Sequence, residues 1–193
     1  TTIGDRAFSD MPSGIGKEFY IPDNVTTFGK EAFAGSAYLD AVRMPQKLTK
    51  MGEGVFAACL QMHFLEIPDS LTEIPDDAFA NCWGYGSARD YSVEQCIGKN
   101  VTKIGKGAFG GCWNMGRAWG DGRLPEKLES IGEGAFQYCY TIKKLQIPAG
   151  VTVIPDRTFQ GCERLESIQF DGDITMIGAE AFDGCVALTS MPL

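Results

Sequence analysis

Seven cysteines and one histidine are the residues of this chain best suited to covalent or metal chemistry. Six of the thiols, Cys59, Cys82, Cys112, Cys139, Cys162 and Cys185, each stand three residues after a phenylalanine. That spacing argues for a shared structural place instead of a reactive cluster. Equivalent residues of stacked strands lie about 4.8 Å apart with parallel side chains, whereas a disulfide needs β-carbons about 3.8 Å apart and converging. A buried, reduced ladder of thiols is therefore expected. Zinc would need tetrahedral convergence, usually from Cys-x-x-Cys pairs, and the sequence has no such pair. Cys96 lies outside the series, directly before Ile97, and is expected to face outward. A nucleophile there would need a base beside it, and His63 falls in the preceding strand region at a different offset. Asp76-Asp77, Glu129, Asp171 and Asp173 read as solvated acids of turns, and Gly105-Lys106-Gly107 lacks the full phosphate-loop pattern. The sequence thus points to no catalytic residue, no cofactor and no metal ligand.

The elements that position these residues are set by one internal repeat. Phe8, Phe33, Phe56, Phe79, Phe109, Phe136, Phe159 and Phe182 recur at intervals of 25, 23, 23, 30, 27, 23 and 23, most of them inside Gly-x-x-Ala-Phe. Ile21-Pro22, Met44-Pro45, Ile67-Pro68, Leu124-Pro125 and Ile147-Pro148 form a second series, each proline 11 residues before a repeat phenylalanine. Ile97-Gly98 and Phe170-Asp171 hold the same place without proline. That half of the unit keeps its length, so the three insertions fall between a phenylalanine and the next Ile-Pro site. Segments such as Leu145-Gln146-Ile147 alternate apolar and polar residues, as a short half-buried strand should, and proline ends each one. The Gly-x-x-Ala-Phe-x-x-Cys half suits a tight turn running into a helical or 3-10 turn on the opposite side. A unit of 23 residues cannot bury its own apolar face, so neighbouring units must stack into a curved solenoid.

Cys162-x-x-Leu165-x-x-Ile168-x-Phe170 and Ile147-Pro148-x-x-Val151-Thr152-x-Ile154-Pro155-x-x-Thr158-Phe159 resemble the BspA-type leucine-rich repeats of bacterial and some protist surface proteins. Ser36 and Met11 stand where later repeats carry cysteine, and Glu129 replaces the usual threonine. The resemblance spans residues 1–193 and implies a leucine-rich-repeat solenoid of the α/β type. In such a fold short parallel strands face a return side of turns, 3-10 or helical turns. It is expected to be right-handed, with eight repeats of about 23 residues in a single domain. It further implies an extracellular or cell-surface, non-enzymatic domain used in adhesion. The open repeats at Thr1 and Leu193 read as a fragment of a longer surface protein whose signal and anchor lie outside this chain.

Composition narrows the partner. The net charge is −8, from 25 acidic and 17 basic residues, and no Lys/Arg run offers a footprint for nucleic acid. No apolar run approaches the roughly 18 residues of a membrane span, so membrane insertion is not expected. The two longest insertions follow Phe79 and Phe109, in neighbouring repeats, and hold all three tryptophans. Trp83, Tyr85, Arg89, Tyr91, Trp113, Arg117 and Trp119 are the candidate partner-binding residues, because aromatics and arginine dominate binding hot spots. The competing reading is that these rings fold back and cap the enlarged turns. A second candidate surface is the outward strand face, with Tyr20, Arg43, Phe64, Glu66, Arg123 and Lys144. Its mixed chemistry favours a protein partner, which the resemblance implies to be of host matrix or microbial surface. A glycan held at the aromatic insertions is the alternative, and a structural spacer is the third reading.

Overall fold

The structure is a computed structural model and describes residues 1–13, 18–85, 94–116 and 122–191; the side chains of Glu18, Phe64, Glu94 and Gln95 lie outside the description. In chain order the strands are β1 (Thr2–Ile3), β2 (Glu18–Tyr20), β3 (Thr27–Phe28), β4 (Ala41–Arg43), β5 (Phe64–Leu65), β6 (Glu73–Ile74), β7 (Lys103–Ile104), β8 (Ser130–Ile131), β9 (Lys144–Ile147), β10 (Val153–Ile154), β11 (Ser167–Phe170) and β12 (Met176–Ile177). Among the described residues a π-helical turn, Glu94–Gly98, interrupts the series between β6 and β7. Every strand pairing is parallel and joins equivalent residues of successive repeats, as Phe19 opposite Val42 and Leu145 opposite Ile168 illustrate.

Each repeat traces three sides. The first is the strand ending at the Ile-Pro site, represented by β2-β4-β5 and by β9-β11. Alternation places Val42 in the core between half-buried Ala41 and exposed Arg43, and Leu145 in the core beside exposed Lys144. Proline then opens a corner: the amides of Val25, Leu48, Leu71, Leu128 and Val151 donate to the carbonyls of Pro22, Pro45, Pro68, Pro125 and Pro148. The second side is the two-residue strand around Thr-x-Ile, paired as β1-β3, β6-β7-β8 and β10-β12. The third is the return.

The return side resolves into turns. The residue two before each repeat phenylalanine has φ between 53° and 61°, and the residue two after it is also left-handed, as at Asp10, Gly35, Asn81 and Tyr138. Two left-handed residues in every unit stop a right-handed helical run from propagating. Backbone groups freed from a helix pair across repeats instead: Phe33 donates to Val55, Phe79 to Ala108 and Phe136 to Thr158, at 2.8, 2.8 and 2.9 Å. Glycine fits these places without strain, and the eight non-glycine exceptions besides Ala58 are polar, charged or tyrosine.

The phenylalanines form one column through the solenoid. Consecutive centroids lie 5.0 to 5.6 Å apart with interplanar angles of 5° to 20°. The six inner rings, Phe33 through Phe159, are fully buried, while Phe8 at one end is 37% exposed and Phe182 at the other is half-buried. Burial of one such ring contributes about 1.5 to 3 kcal/mol, so the six inner rings together are a large apolar contribution to the fold.

Candidate functional site

The thiol ladder has a structural task. Each of the six sulfurs donates to the carbonyl of the phenylalanine one repeat earlier: Cys59 to Phe33 at 3.2 Å, Cys82 to Phe56 at 3.0 Å and Cys112 to Phe79 at 3.1 Å. Cys139, Cys162 and Cys185 repeat the contact to Phe109, Phe136 and Phe159. Ser36 takes the same place with its hydroxyl, donating to the Phe8 carbonyl at 2.9 Å and accepting from the Met11 amide. From the second repeat onward the position therefore holds a small side chain with one donor. Burial pushes the Cys82, Cys112, Cys139 and Cys162 thiols up from their ordinary range, so little nucleophilic thiolate forms near neutrality.

Two sequence expectations are overturned at the longest insertion. Cys96 does not face outward: it is buried, and burial raises its thiol to about 12. Tyr85 is not a surface anchor but a fully buried core ring. It lies 4.8 Å from Phe79 and 5.8 Å from Phe109, and its hydroxyl donates to the Cys96 carbonyl at 2.6 Å. The physical reason is its place in the repeat. Tyr85 stands three residues after Cys82, where other units bury Leu39, Met62, Met115, Ile142 and Leu165. The seven added residues then follow it, and the chain re-enters through Glu94–Gly98 with Cys96 and Ile97 turned inward. The Cys-x-x-Leu spacing was the signal that marks Tyr85 as core.

Trp83 and Trp113 stand one residue after their cysteines and are 40% and 42% exposed. Their indoles stack at 4.7 Å with an interplanar angle of 7°. Tyr140, at the same offset in the next repeat, tilts against Trp113 at 5.8 Å, and Tyr138 lies 6.3 Å from Tyr140. An aromatic column thus runs along one edge across three repeats. The tyrosines were missed because they sit in a repeat without an insertion. The shared offset from cysteine would have found Tyr140. Asn114 secures the tryptophan pair, its side-chain amide donating to the Trp83 carbonyl at 2.8 Å. Arg89, Tyr91, Arg117 and Trp119 lie outside the described residues.

The column leads into an open pocket of about 260 Å³ bounded by Tyr138, Tyr140, Gln160, Glu163, Asp183 and Val186. On the strand face, Tyr20 and Arg43 are opposite one another in register, with the guanidinium 5.6 Å from the ring centroid. Glu66, Arg123 and Lys144 are exposed there, and the Phe64 side chain lies outside the description. His63 pairs its Nδ1 with Asp40 Oδ1 at 2.6 Å, a contact between equivalent places of adjacent repeats. Among the described residues no three His, Cys, Asp or Glu side chains converge as metal ligands, and no helix is long and apolar enough to cross a membrane.

A sequence profile of the BspA type leucine rich repeat region matches residues 1–86 and 90–193 in six copies. The chain belongs to this family. Among solved structures, a T. pallidum leucine rich repeat protein superposes on this family member with a TM-score of 0.77 at 25% identity, covering 98% of this chain and 83% of that one. The pneumococcal vaccine antigen PcpA gives 0.46 at 16% identity over 98% of this chain and 66% of that one. A leucine rich cell surface protein of Faecalibacterium prausnitzii gives 0.37 at 20% identity over 98% and 82%. A search of curated protein sequences returned no match. Family and fold together assign this BspA-type repeat chain a binding or scaffold role.

Proposed function

We propose that the chain is a non-catalytic binding scaffold of a cell-surface or secreted protein and mediates adhesion to host or microbial proteins. One observation carries the reading: the edge column of Trp83, Trp113 and Tyr140 keeps large aromatics part-exposed in the middle of a solenoid whose six inner phenylalanine rings are fully buried. Aromatic side chains in such places supply contact area with few rotors and a polar handle. The Trp83–Trp113 stack covers one face of each indole, and Tyr140 tilts against Trp113 at 56°. Sugars stack on open faces, so this geometry favours a protein over a glycan.

The test is an array of matrix and microbial surface proteins probed with the labelled chain, beside a glycan array. Retention on protein spots that is lost in Trp113→Ala, with the melting temperature nearly unchanged, supports the reading. Retention on glycans alone overturns it. If protein binding survives Trp113→Ala but falls in Tyr20→Ala and Arg43→Ala, the strand face is the adhesive surface.

A further inference from the structure

The pocket at the end of the aromatic column owes its shape to a step in side-chain size along one row of the ladder. Two residues after the repeat phenylalanine the row reads Tyr138, Gly161, Gly184, all with positive φ. The Tyr138 ring lies over Gly161 so closely that a β-carbon there would run into it. One tyrosine therefore forms a wall while two glycines lower the floor. Two residues further on, the neighbouring row reads Tyr140, Glu163, Val186, which places a carboxylate between an aromatic ring and an isopropyl group that is 81% exposed.

The chemistry inside is consistent in sign. Two tyrosine rings and two carboxylates, Glu163 and Asp183, border the space, and among the described residues no lysine or arginine does. Asp183 uses one oxygen to accept from the Gln160 amide at 3.0 Å. Glu163 forms no ion pair among the described residues, and the whole chain carries a net charge of −8. Aromatic faces and carboxylates together attract an organic cation. The volume of about 260 Å³, open to solvent, falls below the roughly 300 to 1,000 Å³ of sites that enclose a small molecule, and suits one long side chain.

We propose that this pocket takes the arginine or lysine side chain of a protein partner, while an apolar residue beside that cation lies against the Trp113–Trp83 edge. The proposal rests on the binding-scaffold reading and names the chemistry that the scaffold selects: a segment in which basic and apolar residues alternate.

The probe is the fluorescein-labelled peptide Gly-Leu-Arg-Leu-Arg-Leu-Gly with blocked ends, compared by anisotropy with its citrulline analogue, which keeps shape and loses charge. The arginine peptide should bind at least about ten-fold tighter, a preference worth about 1.4 kcal/mol, and should weaken with added salt. Glu163→Gln combined with Asp183→Asn should abolish that preference with the melting temperature unchanged, and Trp113→Ala should weaken both peptides alike. Equal binding of the two peptides, no binding of either, or a preference that survives the double variant would overturn the proposal. So would displacement of the peptide by neutral cello- or chito-oligosaccharides. A protein captured on the array whose retention needs Trp113 but ignores Glu163 and Asp183 removes the pocket and leaves the scaffold reading standing. An array with no protein retained removes the reading itself.

Discussion

The strand side of the solenoid is built in two ways. In β9 and β11 four residues pair in unbroken register, from Lys144 opposite Ser167 to Ile147 opposite Phe170. At the equivalent place after Tyr85 the chain instead makes the five-residue π-helical turn Glu94–Gly98. The two regions share the ring column and the thiol contact. The Phe79 and Phe109 rings still stack at 5.3 Å, and Cys112 still reaches the Phe79 carbonyl at 3.1 Å. The turn side and the ring column therefore transmit the repeat, and the strand ladder is the replaceable part. It can be replaced because the Tyr85 ring fills the interior and its hydroxyl donates to the buried Cys96 carbonyl.

If the ring column carries the fold, breaking it should give the largest effect. Phe136→Ala lies deep in the column, flanked by Phe109 and Phe159 at 5.5 and 5.6 Å. The substitution should cost about 3 to 5 kcal/mol in urea denaturation, because stacked neighbours on both sides resist collapse into the cavity. A cost near 1 kcal/mol would mean that the backbone ladder of the turns, and not the rings, holds the repeats together.

The second effect sharpens the comparison at the insertion through pH. Burial pushes the folded Cys96 thiol up to about 12, above the value near 8.5 of an unfolded chain. Its folded pKa is raised, so its contribution is fully present below the unfolded value and is lost as pH rises toward the folded one. Well above the unfolded value each pH unit removes about 1.4 kcal/mol for one thiol, which amounts to about 2 kcal/mol between pH 8 and 10. Cys82, Cys112, Cys139 and Cys162 act in the same direction through burial. Denaturation at pH 8 and pH 10 should show stability falling with pH, less steeply in Cys96→Ala. An unchanged slope in that variant would return Cys96 to the surface.

A smaller effect is expected at the hydroxyl that joins the two regions. Tyr85→Phe keeps the ring in contact with Phe79 and Phe109 but leaves the Cys96 carbonyl without its 2.6 Å donor. The expected cost is about 1 to 2 kcal/mol by thermal or urea unfolding. A neutral result would show that ring volume alone holds the inserted segment.

The same comparison explains what the sequence reveals. Repeat length, the phenylalanine column and the cysteine row are legible because each is a single residue type at a fixed offset, and stacking converts that offset directly into a contact. The insertion is less legible, since added residues break the offset on which that reading depends. Cys96 illustrates the loss: counted back from Ile97 it belongs to the outward row, yet a π-helical turn rotates it into the core. Tyr85 could be read correctly only by counting forward from Cys82. The aromatic edge was half legible. Tryptophan rarity drew attention to Trp83 and Trp113, whereas Tyr138 and Tyr140 sit in a repeat of ordinary length and acquire meaning only when the column is seen.

The smallest predicted effect separates the two ring columns. Trp83 and Trp113 stack as flatly as the core phenylalanines, at 4.7 Å and 7°, but are each about two-fifths exposed. Their coupling should fall at about 0.5 to 1 kcal/mol, the lower part of the range for aromatic pairs, since water already reaches their edges. A double-mutant cycle with Trp83→Ala, Trp113→Ala and the pair measures it, with stability read by urea denaturation. A coupling in that range leaves most of the edge free for a partner and agrees with a surface set out for binding. A coupling of about 3 kcal/mol or more would make the edge a second structural column. Trp113→Ala would then lower affinity by unfolding the edge instead of removing a contact, and the strand face around Tyr20 and Arg43 would inherit the binding role.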